Sequence, residues 1–160
     1  NVIEFEESRA LSVVLVLDVH ANCDVGEGKQ STFEYMVNAA ASLAQSATRQ
    51  GASVSLLAAG RMGPEAAPGR GSDHFFAILA GLARAESDAP DPLSASLADQ
   101  VGLLRAGTSL VLLTAYADPA LAAPVARFSS AGIPVTVFYA DPLSFDARSE
   151  KLPIRLLSGP

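Results

Sequence analysis

The chain has 160 residues, of which 49% are hydrophobic and 6% aromatic, and its 17 acidic and 11 basic side chains give a net charge of -6. This length corresponds to about one domain, and the composition is that of a globular protein. The negative charge and the scattered arginines, which form no basic run, argue against nucleic acid as a partner. The single cysteine, Cys23, excludes an internal disulfide and a four-cysteine metal site.

The longest apolar stretches, residues 10–17 and 109–117, are shorter than the roughly 20 residues that a membrane-spanning helix needs. We therefore expect no membrane contact by this segment. The chain begins at Asn1, without an initiator methionine or a signal-peptide pattern. We expect residues 1–160 to form a single domain excised from a longer protein.

Strands and helices are predicted to alternate from the start of the chain. The run SVVLVL at residues 12–17 is typical of a strand that is buried on both faces. Apolar residues then recur at helical spacing over 32–50, where Ser31 and Glu34 predict a capping box and Gly51 ends the helix. The chain thus enters its first helix through a polar loop.

The same alternation continues to the end of the chain. Residues 53–60 predict a second strand, and the loop over 61–72 could hold a short edge strand before a helix at 73–85. Asp91 and Pro92 predict the start of a helix that extends to Leu104. The remaining predicted elements are a strand at 109–114, a helix from Asp118 to Gly132, a strand at 134–140 and a short last strand within 152–157.

This order of elements predicts an α/β fold, a three-layer α/β/α Rossmann-like sandwich with a mostly parallel central sheet. In such sheets, ligands bind beyond the carboxyl ends of the strands, where the strand order reverses. The loops after Asp18, Thr114 and Asp141 are therefore the candidate sites. The loop over residues 18–32, DVHANCDVGEGKQST, is the richest in polar side chains.

A phosphate-binding loop is the first function to test, because this loop follows a strand and opens a helix. When the pattern is aligned on Gly28 and Lys29, its first glycine falls on Cys23. Gln30 then stands where a serine or threonine would hold magnesium. The spacing argues against nucleotide binding, and Gly26 and Gly28 are better interpreted as turn residues.

Nucleophilic chemistry is the second possibility, because Cys23 follows the first strand with His20 close by in sequence. A phosphatase-like loop would need an arginine at the position of Lys29, since lysine cannot bind phosphate through two parallel hydrogen bonds. A hydrolase or phosphate-binding enzyme that uses loop 18–32 is kept as the alternative function. It predicts that Cys23 is exposed and has a lowered pKa, whereas a buried thiol would exclude it. His20, Cys23 and His74 lack the paired spacing of a structural zinc site.

The segment DVHAN resembles the metal-ion-dependent adhesion site of the von Willebrand factor A fold. In that family the first strand ends in an aspartate followed by two serines one residue apart; Asp18 matches, and His20 and Asn22 replace the serines. The family's threonine after the second helix has no counterpart, and Ala115 stands where an aspartate is usual. The resemblance implies a degenerate site, so we expect no cofactor. If Mg²⁺ or Mn²⁺ bound, Asp18 and Asn22 would be its ligands, since imidazole prefers softer metals.

Four longer segments extend the resemblance over almost the entire chain, and they resemble successive blocks of the bacterial DUF58 family. The resemblance implies a von Willebrand A-like domain. It also implies a cytoplasmic-side location in a membrane-anchored protein, and a partnership with a MoxR-type AAA+ ATPase in assembly or maturation. The four segments are VIEFEESRALSVVLVLD, GEGKQSTFEYMVNAAASLA, PGRGSDHFFAILAGLA and GTSLVLLTAYADPAL.

The function that these observations favour is a non-enzymatic protein-interaction domain. Its predicted binding rim lies at the carboxyl ends of the strands, where His20 could also make binding sensitive to pH. The rim is predicted to comprise Asp18, His20, Asn22, Thr114 and Asp118.

Overall fold

The computed structural model describes residues 11–59, 65–100, 104–142 and 154–158. They form one six-stranded sheet in the order β3-β2-β1-β4-β5-β6. The four central strands pair in parallel, and β3 and β6 pair antiparallel at the two edges. The predicted, mostly parallel sheet is therefore confirmed. The strands are β1 Ser12–Leu17, β2 Ser53–Ala58, β3 Ala66–Gly69, β4 Thr108–Thr114, β5 Val135–Ala140 and β6 Ile154–Ser158.

Helices cover both faces of this sheet, which confirms the predicted three-layer sandwich. The first helix begins where the sequence predicts, because the Ser31 hydroxyl accepts a 3.2 Å hydrogen bond from the backbone N–H of Glu34. It ends before Gly51, whose φ of +77° is favoured by glycine. No helix in the described ranges is long and apolar enough to cross a membrane. The helices are α1 Thr32–Arg49, α2 Gly71–Arg84, α3 Leu93–Gln100 and α4 Ala122–Ser130.

The sheet separates two apolar clusters, and β1 contributes to both. Leu15 and Leu17 pack with α1 and α2 on one face, whereas Val14 and Val16 pack with α3 and α4 on the other. Both faces of β1 are therefore buried, which explains its uninterrupted apolar sequence. Burial of these side chains is the main stabilising contribution to the fold.

Three helices differ from their predicted boundaries, and the first is α2, which spans Gly71–Arg84 where 73–85 was predicted. The helix predicted from Pro92 to Leu104 begins at Leu93 and is described as far as Gln100, while residues 101–103 lie outside the described ranges. Leu104 is not helical, because the chain must turn within residues 104–107 to enter β4, and Gly107 has a φ of +90° there. The helix predicted from Asp118 starts instead as a 3₁₀ turn at Pro119–Leu121, before α4.

The strand order places two predicted site residues next to each other. The chain runs outward from β1 to β2 on one side, and returns to β4 on the other side, so the order reverses between β1 and β4. The register pairs Leu17 with Leu113, one residue before Asp18 and Thr114 respectively. The point where ligands bind in open α/β sheets therefore coincides with these two side chains.

Candidate functional site

Asp18 and Thr114 form the buried centre of the site. The Thr114 hydroxyl donates a 2.6 Å hydrogen bond to Asp18 Oδ2, and Asp18 Oδ1 accepts a 3.0 Å bond from the backbone N–H of His20. Asp18 is only 1% exposed and Thr114 only 2%. The carboxylate is thus satisfied by protein donors, as a buried charge requires. Neither side chain can contribute a large contact area to a partner.

Cys23 is packed against this pair. Its Sγ lies 4.0 Å from Thr114 Oγ1, and the residue has no exposed surface. Burial, and then the negative charge of Asp18, raise the pKa of the thiol from 9.0 to about 12. The hydrolase alternative required an exposed cysteine with a lowered pKa. The structure contradicts that requirement on both points.

The loop that carries Cys23 is fastened to the start of α1. The Thr32 hydroxyl donates a hydrogen bond to the carbonyl of Cys23 and accepts one of 2.9 Å from the backbone N–H of Val25. The backbone N–H of Thr32 in turn donates a 2.8 Å bond to the carbonyl of Val25. Gly26 and Gly28 have φ values of +112° and +56°, which confirms that they are turn residues. The loop therefore has a defined conformation although much of it is exposed.

The accessible part of the site consists of half-buried His20 together with exposed Asn22 and Tyr116. His20 Nδ1 accepts a 3.3 Å bond from the N–H of Asn22, and the His20 ring lies 5.3 Å from the ring of Tyr116, tilted by 35°. Asn22 is exposed and Tyr116 is 37% exposed. The structure thus brings together residues from the loops after β1 and β4.

A third loop, residues 85–92, lies against the same histidine. Ala89 pairs with His20 as an isolated parallel bridge, with Ala89 N–H donating to Val19 O at 2.8 Å. The Ser87 hydroxyl donates a 2.7 Å bond to the carbonyl of His20. His20 is consequently the residue through which all three loops are connected.

Asp118 stabilises the turn after β4. Its Oδ1 accepts a 2.9 Å bond from the N–H of Ala120, and its Oδ2 accepts from the hydroxyl of Ser94 on α3. The side chain is half-buried. Asp118 therefore links α3 to the 3₁₀ turn that precedes α4 at the rim.

The predicted binding rim consequently has two layers. His20, Asn22 and part of Asp118 are accessible, whereas Asp18 and Thr114 lie beneath them. That this rim binds a partner stays a prediction. Asp18 and Thr114 were predicted as contact residues of this rim. Because both are buried, they support the accessible residues instead of touching a partner themselves.

The described residues do not fit a divalent cation. Both carboxylate oxygens of Asp18 already accept hydrogen bonds, and Mg²⁺ or Mn²⁺ would need several oxygen ligands around it. Within the described ranges, no three His, Cys, Asp or Glu side chains form a group that could hold a metal. His74 bonds instead to Val54 O, near the opposite end of β2.

Sequence reasoning missed Tyr116 and the loop over 85–92. The signal for Tyr116 was its position, because it is the first large side chain after a strand that ends at the predicted site. The signal for the loop was its acidity, with Glu86, Asp88 and Asp91 close together. Its contact with His20 depends on tertiary pairing, which has no local pattern.

Comparison with known proteins identifies the relatives of this chain. A family model described as "Protein of unknown function DUF58" matches residues 1–121. No protein with a curated description matches the sequence. A solved structure of a von Willebrand factor type A protein from Catenulispora acidiphila is similar, with a TM-score of 0.55 and 12% identity. The match covers 86% of this chain and 40% of that one, so this chain spans less than half of that protein's length.

Proposed function

Because the chain belongs to the DUF58 family and has a von Willebrand A-like fold, we propose that it is a non-enzymatic interaction domain that binds a protein partner at the carboxyl edge of its sheet. The observation that supports this function most strongly is the contrast within the site. Half-buried His20 and exposed Asn22 lie in the loop that directly follows the buried Asp18, which bonds to the buried Thr114. Buried hydrogen bonds fix the conformation of the residues that would contact a partner. Such a preorganised surface loses little conformational entropy on binding, which favours recognition.

The partner that we propose is a MoxR-type AAA+ ATPase acting in assembly or maturation. The support for this choice is the family resemblance, together with a partly exposed site whose cysteine, Cys23, is buried and has a raised pKa. We further propose that the domain belongs to a membrane-anchored protein and lies on its cytoplasmic side, where an ATPase of this class has access to ATP.

The test is co-purification of the full-length protein with the MoxR-type ATPase of the same organism. We expect a His20→Ala, Asn22→Ala double variant to reduce ATPase recovery by about tenfold, because truncating central contact residues typically weakens an interface by that order. A Gln45→Ala, Ser129→Ala double variant is the matched control, since both residues are exposed on helices away from the rim. Equal recovery with both double variants would contradict the proposed binding site.

A further inference from the structure

An apolar groove lies beside the rim, between the turn after β4 and the strand β5. We infer that this groove anchors one large apolar side chain of a partner segment that carries lysine or arginine next to it. The inference rests on the proposed function and adds the chemistry of the partner. The groove is lined chiefly by Tyr116, Pro119, Leu121, Val137 and Tyr139, and the acidic Asp118 also lines it.

The size and lining of the groove favour a side chain over a small molecule. Its volume is about 330 Å³, at the lower end of the roughly 300–1,000 Å³ that is typical of small-molecule sites. Aromatic walls from Tyr116 and Tyr139 are of the kind that hold anchor residues at protein interfaces. The groove therefore fits one aromatic or long aliphatic side chain.

The groove opens on a strongly acidic edge. The described loops at the carboxyl edge, residues 18–31, 85–92, 115–121 and 141–142, contain eight carboxylates and a single basic residue, Lys29. Only Asp18 among the eight is buried. The exposed or half-exposed ones are Asp24, Glu27, Glu86, Asp88, Asp91, Asp118 and Asp141.

The opposite edge of the sheet is richer in arginine. Arg49, Arg70, Arg105 and Arg127 lie in or next to the connections at the amino ends of the parallel strands, with Asp73 and Asp99 near the adjoining helix ends, whereas Arg84 is the one arginine next to the described loops of the acidic edge. Charges of one sign gathered on one edge attract a partner of the other sign and orient it during encounter. A basic segment would thus be directed to the edge that contains the groove.

Helix stabilisation does not account for this acidity. A carboxylate is favourable at a helix amino end, and Asp118 caps such an end. Glu86, in contrast, comes just after the carboxyl end of α2, where the helix dipole disfavours negative charge. At least part of the acidic edge is therefore unfavourable to the helix next to it, which supports a role in recognition.

The groove and the acidic loop are connected through His20. Its ring contacts Tyr116, which lines the groove, and its backbone pairs with Ala89 in loop 85–92. A bound segment can therefore place an apolar side chain in the groove and extend its basic neighbours past His20, toward Glu86 and Asp91. The contacts of loop 85–92 with His20 also fix the position of its carboxylates relative to the groove that binds the apolar side chain.

The test uses the 160-residue chain and a short fluorescent peptide in which one phenylalanine is flanked by lysines. Two matched peptides replace the phenylalanine by alanine or the lysines by glutamates. We expect the alanine peptide to bind about tenfold more weakly, and the glutamate peptide to show no binding. Binding of the first peptide should weaken as salt rises, because exposed charges are screened.

Variants of the chain locate the binding site. Tyr116→Ala should weaken the phenylalanine peptide about tenfold, and Glu86→Gln with Asp91→Asn about threefold at low salt. Phe76→Ala is the matched aromatic control, since Phe76 is 65% exposed on α2. Asp73→Asn is the matched charge control, because Asp73 lies in the first turn of α2, at the amino edge. Both controls should bind as the wild type does.

The inference would be overturned by no binding of the phenylalanine peptide at millimolar concentration, by equal binding of the glutamate peptide, or by equal losses in the controls. Self-association that Tyr116→Ala abolishes, without peptide binding, would identify a second copy as the occupant and would also overturn it.

The proposed function is tested separately. If ATPase recovery depends on His20 and Asn22 but the peptide does not bind, only this inference fails. If the peptide binds and the ATPase does not, only the ATPase assignment fails.

Discussion

The hydroxyl of Thr114 donates a 2.6 Å hydrogen bond to Asp18 across 96 positions of sequence. This bond joins the carboxyl ends of β1 and β4 at the point where the strand order reverses. In other α/β sheets a ligand occupies this point. In this protein the carboxylate of Asp18 instead accepts hydrogen bonds from Thr114 and from the backbone of His20. The pair of Asp18 and Thr114 therefore supports the loops that follow β1 and β4.

We predict that Thr114→Val lowers the free energy of unfolding by about 1–3 kcal/mol, because it leaves one oxygen of a buried carboxylate without a donor. Urea denaturation followed by circular dichroism measures this change. Thr114→Ser should retain most of the stability, since it keeps the hydroxyl. Thr136→Val, at a half-buried position on β5, is the control and should change stability by less. Equal losses at positions 114 and 136 would show that the bond to Asp18 contributes little.

A second prediction concerns the reactivity of Cys23. A pKa of about 12 in place of 9.0 leaves roughly a thousandfold fewer thiolates at neutral pH, and burial hinders the reagent further. We expect a disulfide reagent such as Ellman's reagent to label the native protein at least about 100-fold more slowly than the protein in urea. Labelling of the native protein at the rate of a free thiol would instead restore the hydrolase alternative.

The same pKa predicts how stability depends on alkaline pH. The folded state holds the thiol proton more tightly than the unfolded state, so this contribution to stability is complete below pH 9.0 and is lost as pH rises toward about 12. The wild type should therefore lose more free energy of unfolding between pH 9 and 11 than Cys23→Ala. Parallel pH profiles for the two proteins would contradict the raised pKa.

Local patterns in the sequence predicted most of the fold. The apolar run of β1 and the capping serine of α1 determine structure within a few residues, and both elements formed as expected. The order of the elements also implied that Asp18 and Thr114 lie at the same edge, since parallel strands end together. These inferences needed no knowledge of side-chain packing.

The burial of the site was not predictable in the same way. Whether Asp18 faces solvent depends on Cys23 and Thr114 closing over it, and the contact between these two residues spans 91 positions. The ring contact between His20 and Tyr116 likewise depends on how the loops fold back. Such contacts follow from tertiary packing, which composition and spacing do not encode locally.

A fourth prediction is that magnesium and manganese leave the stability of the domain unchanged. Asp18 is 1% exposed, and each of its carboxylate oxygens already accepts a hydrogen bond, so a cation would have to enter a closed site and compete with these donors. We expect millimolar MgCl₂ or MnCl₂ to shift the melting temperature by less than about 1 °C, because only binding to the folded state would raise it. An increase of several degrees that Asp18→Asn abolishes would demonstrate a metal site.

The last prediction concerns Thr32, which fastens the exposed loop to α1. Thr32→Val removes the hydroxyl that bonds to Cys23 O and Val25 N, so the loop should open more often while the helix remains. We expect trypsin to cleave after Lys29, which is exposed in this loop, about tenfold faster in the variant under native conditions. Thr48→Val, near the end of α1, is the control and should be cleaved like the wild type. If Thr32→Val is cleaved no faster, the backbone bond from Thr32 to Val25, the turn glycines and the contacts of His20 are enough to hold the loop, and the threonine hydroxyl is dispensable for the shape of the rim.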